Sequence, residues 1–207
     1  MLQIQNSWTP AAVSANGYAT AVTGLTWAIT TTSSSDSLAH LVTITNNTAN
    51  SHSTKTAVLV GTDADGNVQT ESMSLPGASV ATTSTKYYKT LLTVVPSLTI
   101  GADTMGIGWS AVSTSATMVV DARMVVPAFG SMVITGTINV SVQETGSSPW
   151  TTPGQLGVWA APTAWASKTA SQSVVFDNSV QAMRLLVNSV SAGATVSLAI
   201  AQGGSQG

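Results

Sequence analysis

The chain has 207 residues and a formal net charge of −2, and only 7% of its residues are Asp, Glu, Lys or Arg, against about 25% in an ordinary soluble domain. Cysteine is absent, which excludes a disulfide-stapled scaffold, a thiolate nucleophile and a cysteine metal site. The six basic residues, Lys55, Lys86, Lys89, Arg123, Lys168 and Arg184, are scattered, so no groove that tracks phosphates is expected and nucleic acid is not an expected partner.

Apolar residues make up 43% of the chain but come in short runs divided by Thr, Ser, Asn and Gly, far from the roughly 20 consecutive apolar residues of a membrane helix. No membrane association is expected. Residues Met1 to Asn6 show neither the basic nor the apolar region of a signal peptide, so synthesis in the cytosol is expected.

In chain order, Asn16-Gly17 reads as a turn, Tyr18 to Thr30 as a strand, Thr30 to Ser37 as a polar loop and Leu41 to Thr45 as a strand. The clearest signal is Val58 to Glu71, where a β-branched run meets Asp65-Gly66, a dipeptide suited to the positive φ angles of a tight hairpin. Further strands are expected at Val80 to Thr85, Tyr87 to Val95, Leu98 to Gly101, Met105 to Trp109 and Ala116 to Val126. A boundary is placed at Pro127 to Gly130. Beyond it come a strand from Met132 to Val142, a long loop from Gly146 to about Lys168, and strands at Ser173 to Phe176, Ala182 to Val187 and Ala194 to Ala201. The one helical candidate, Trp159 to Ala170, is interrupted by Pro162. The spacing predicts an all-β chain of two β-sandwich or jelly-roll-like units with short strands and long loops, divided as residues 1–126 and 127–207.

Candidate chemistry is sparse. Asp63, Asp65, Asn67, Gln69 and Glu71 alternate oxygen-bearing side chains as a hard cation would want, but the glycine spacing and flanking helices of an EF-hand are missing, and Asp-Gly-Asn is ordinary turn chemistry. His40 and His52 lack metal-ligand spacing, no Gly-x-Ser-x-Gly occurs, and Gly106-Ile107-Gly108 lacks the third glycine of a nucleotide fingerprint. No catalytic residue, metal or cofactor is expected. Trp150, Trp159 and Trp165 fall together in the long loop, where they can plug the sandwich, anchor a protein partner or form a sugar platform.

The run Val60 to Glu71, followed by Leu75-Pro76-Gly77 and Thr83 to Thr90, resembles a pattern in virion structural proteins of tailed bacteriophages. So do Gly136 to Gln143, Ala182 to Ser189, the Gly-Ala-Thr-Val turn expected to close a hairpin, and Ala201 to Gly204. The resemblance implies a non-enzymatic particle component assembled in the host cytoplasm. Its expected role is to decorate or cement the capsid by binding the major capsid protein or other virion proteins. A homo-oligomer is expected, a trimer being one arrangement, with exposed strand edges and Trp150, Trp159 and Trp165 as contacts. A tail or head-to-tail component and a carbohydrate-binding receptor module are the alternatives.

Overall fold

The computed structural model describes residues 2–120, 128–146, 157–176 and 180–202. It is nearly all β: fourteen strands and one three-residue 3-10 turn, with no α-helix among the described residues. The architecture is the expected all-β, sandwich-like one.

The chain forms two compact units, which part at different points from those expected. An inserted unit holds Ala12–Ser113, and a terminal unit holds Met1–Ala11 with Thr114–Gly207. The expected division at 126/127 misses this because the first strand, β1 (Leu2–Trp8), pairs antiparallel along its whole length with the last, β14 (Thr195–Gln202). Strand pairing at that separation leaves no local mark in the sequence.

In the inserted unit, β4 (Thr56–Thr62) lies between β5 (Val68–Ser74) and β7 (Thr90–Pro96). A second sheet is built from β2 (Ser14–Val22), β8 (Met105–Thr114), β3 (Ala39–Asn46) and β6 (Ala81–Tyr88). Between them lies a core that includes Val42, Ile44, Leu59, Tyr88, Leu91 and Met105. Fully burying one such aliphatic side chain stabilises by about 1.5–3 kcal/mol. The Asp-Gly hairpin joins β4 to β5 as expected, in register from Thr62↔Val68 to Thr56↔Ser74, with Gly66 at φ +88°. Asn16-Gly17 lies inside irregular β2 and is not a turn, Leu98 to Gly101 forms no strand, and Tyr87 to Val95 is broken at Lys89.

In the terminal unit one sheet runs β1, β14, β10 (Ala128–Thr135), β12 (Gln172–Phe176). The unit's remaining strands are β11 (Ile138–Thr145), β13 (Ala182–Val190) and the two-residue β9 (Met118–Val119), with β13 paired antiparallel to both others. Met132 to Val142, expected as one strand, is two strands in different sheets. They turn the corner at Gly136, where φ is +81° and an added Cβ would meet Ala194 at 3.0 Å. The Gly193 turn likewise carries the chain from β13 to β14, between sheets, so the expected hairpin there is instead a crossing. Of the expected strand Ala116 to Val126, only Met118–Val119 is strand, and residues 121–127 lie outside the described residues. Pro162 limits the expected helix to the 3-10 turn Thr163–Trp165.

Candidate functional site

The polar clusters are built into the fold. Asp36, in the loop before β3, accepts hydrogen bonds at Oδ1 from Ser34 Oγ (2.6 Å) and Leu38 N (3.0 Å), while its Oδ2 lies 2.8 Å from His40 Nε2. His40 Nδ1 lies 2.8 Å from the Ser110 carbonyl. Both ring nitrogens thus face oxygen acceptors. His40 is fully buried, so neither nitrogen is open to a substrate.

His52 is held differently. Lys55 Nζ donates to its Nδ1 (3.1 Å), which leaves Nε2–H to donate to Asp103 Oδ2 (2.8 Å). Lys55 also donates to the Thr99 carbonyl (2.7 Å), and Asn50 Nδ2 to both Asp103 oxygens (3.0 and 3.1 Å). The Asn50 hydrogen bond first, then that from His52, holds the Asp103 carboxyl below its ordinary range. The imidazole nitrogen that would deprotonate a nucleophile is instead engaged by an ammonium. The cluster ties the 47–55 loop to the 97–104 loop.

The Asp63 carboxylate is consumed by its own turn. It accepts from Asp65 N and Asn67 N, both at 2.9 Å, and from Asn67 Nδ2 at 3.1 Å. Among the described residues no group of three or more His, Asp or Glu is placed to hold a metal ion.

The three loop tryptophans separate. Trp150 lies outside the described residues. Trp165 is 1% exposed and stacks on Phe176, ring centroids 4.9 Å apart and planes 5° from parallel. Its expected role as a partner contact is therefore corrected to a core role: it fills the sandwich and offers no ring to protein or sugar. Trp159 is half-buried beneath the Arg184 guanidinium, 4.4 Å from its ring centroid, a cation–π contact that occupies one face.

What remains open is sheet surface. In the terminal unit the register aligns outward-facing side chains in rows across β1, β14, β10 and β12. These are Gln3, Ala201, Phe129 and Val175; then Gln5, Ala199, Ser131 and Ser173; then Ser7, Ser197 and Val133. No charged residue is among them. Phe129 is 59% exposed, Val133 54% and Val175 53%. Small Ala199 and Ser131 leave a groove of about 510 Å³ that Phe129, Val175, Gln3 and Ser173 also line.

The inserted unit repeats the pattern on β5, β4 and β7: Val68, Thr62 and Thr90; Thr70, Val60 and Thr93; Ser72, Val58 and Val95. This face is also without charge. Large contiguous apolar patches are rare on monomeric proteins and mark interaction sites, and these faces mix exposed Val and Phe with uncharged polar side chains. Sequence reasoning concentrated on tryptophans and missed these faces. The usable signal was alternation without charge, as in Gln3, Gln5, Ser7 and Phe129, Ser131, Val133.

No protein-family model matches the chain, and neither does any curated protein or solved structure.

Proposed function

We propose that this chain is a non-enzymatic structural component of a bacteriophage virion, and that it decorates or cements the capsid by packing against the major capsid protein. The observation that carries the reading is the pair of sheet faces, one on each unit, that present Val, Phe, Ala, Ser, Thr and Gln without a charged side chain. Surface of this kind buries at low desolvation cost, because no ion must leave water. It also lacks the like-charge repulsion that keeps copies of an ordinary protein apart. Repetition around a symmetric shell turns modest contacts into avidity.

Much of the described acidic charge is engaged within the chain: Asp36 and Asp63 satisfy their own loops, Asp103 accepts from Asn50 and His52 of the 47–55 loop, and Glu71 bonds the β6 backbone. The resemblance of Val60 to Glu71 and of Ala182 to Ser189 to virion proteins points the same way.

The test is to purify the particles, quantify this chain by mass spectrometry and locate it by electron microscopy. Copies by the hundred on the shell are expected. Six or twelve copies on the tail axis would replace decoration by a tail role, and absence from particles would overturn the reading.

A further inference from the structure

We propose that β1 is a docking strand whose occupant is β1 of a second copy, paired antiparallel across a twofold axis. The inference rests on the reading above, in which the chain acts by packing against protein, and identifies one of its contacts.

A sheet edge exposes backbone groups that can pair with any extended chain, and natural proteins guard such edges. Most edges here are guarded. The β5 and β6 edges are laced together by side chains: Gln69 donates to the Tyr87 carbonyl, Glu71 accepts from Thr85 N and Lys86 N, and Lys86 Nζ donates to the Thr70 carbonyl. The β11 edge is covered by bridges from Val140 to Lys168 and from Glu144 to Ala160. On β7, Trp27 bridges to Val94 and the Thr32 carbonyl takes Leu91 N. Strand β2 is broken by register shifts, and β12 has five residues.

Strand β1 has none of these devices. Its seven residues, LQIQNSW, hold no Pro, Gly or charge, and its ladder to β14 is unbroken from Leu2↔Gln202 to Trp8↔Val196. Beyond β14, no described residue hydrogen-bonds its backbone.

The strand suits a copy of itself. Antiparallel pairing about Gln5 sets Gln3 against Ser7, Gln5 against Gln5 and Ile4 against Asn6. Gln3, Gln5 and Ser7 are exposed, so the outward pairs join uncharged hydrogen-bonding side chains, with no like charges opposed. A charged strand would find no complement on β1. The twofold contact is closed: it consumes both edges, yields a finite dimer, and joins two four-stranded sheets into one of eight strands with a continuous uncharged face. A seam of seven residues is smaller than a standard interface, so the dimer is weak, on the order of 10–100 μM, and fills at the local concentrations of an assembly.

Sedimentation equilibrium of the full chain over roughly 5–500 μM tests this, alongside Gln5→Lys, Gln5→Glu and their equimolar mixture, each checked by circular dichroism. A monomer–dimer equilibrium is expected for the unmodified chain. Each variant alone should weaken it at least about tenfold, because like charges then meet at the axis, and the mixture should restore it. A monomer at every concentration, a trimer, variants that dimerise like the unmodified chain, or a mixture that does not recover would each overturn the proposal. Particle location is measured separately: a monomer abundant in particles defeats the docking strand alone, and a dimer absent from them defeats the virion reading.

Discussion

Glu71 and Thr85 stand on strands of different sheets of the inserted unit, yet Glu71 Oε1 accepts both the backbone N–H of Thr85 (2.7 Å) and its hydroxyl (2.9 Å). Oε2 accepts Lys86 N at 3.1 Å. One carboxylate thus closes an edge that would otherwise offer free donors to other chains.

Replacing Glu71 with Ala should therefore affect solubility more than stability. The exposed bonds are worth about 1 kcal/mol, but an opened β6 edge templates association. Light scattering on slow heating should show aggregation beginning at lower temperature. Glu71→Gln, which keeps an acceptor oxygen, should lie between the two. Equal onset in all three proteins would remove the guarding role.

His40→Ala should destabilise the inserted unit by about 3–5 kcal/mol, since it leaves Asp36 buried without its partner and opens a cavity. Asp36→Asn should cost less, about 1 kcal/mol, because the amide can still donate to His40 Nε2 and accept from Leu38 N. Urea unfolding measures both. Equal losses would contradict the bonding pattern drawn here.

Stability should fall at both ends of the pH scale. Burial first, then the Asp36 charge for Tyr18 and the Glu71 charge for Tyr88, raises the two phenols well above their ordinary value. A raised phenol pKa favours the folded state below the unfolded value of about 10, and that contribution is lost as pH rises beyond it. Phenolate absorbance of Tyr18 and Tyr88 should thus appear together with loss of the far-ultraviolet signal. Their complete ionisation in an intact fold would contradict their burial. At the acid end, the lowered Asp103 carboxyl contributes stability above the ordinary carboxylate range, lost as pH falls through its folded value. Asp103→Asn should flatten the acid limb of the stability profile.

Trp165→Ala should cost about 3–5 kcal/mol in the terminal unit, as expected for a large buried aromatic. Gly130→Ala should cost about 1–3 kcal/mol by overpacking, since the new methyl would stand 2.3 Å from Phe176 and 2.8 Å from Trp165. Both aromatic rings are buried and stacked, so neither can move aside cheaply. Thermal unfolding reads both variants, and an unshifted melting temperature for Trp165→Ala would place that ring outside the core.

The β-only character, the Asp65-Gly66 hairpin and the limiting effect of Pro162 were legible in the residues, because each is decided by backbone preferences over a few positions. The tertiary structure decided that β1 pairs with β14, with Ser7 and Ser197 hydroxyls 2.8 Å apart across 190 residues, that Gly136 splits one apparent strand between two sheets, and that Trp165 turns inward. It also decided which side of each strand faces out. In most proteins charge marks the solvent side, but here apolar Phe129, Val133 and Val175 face out while apolar Met132, Leu198 and Ile200 are buried. Without that contrast the choice falls to packing volume and strand partners, which are properties of the whole chain and not of any short stretch of it.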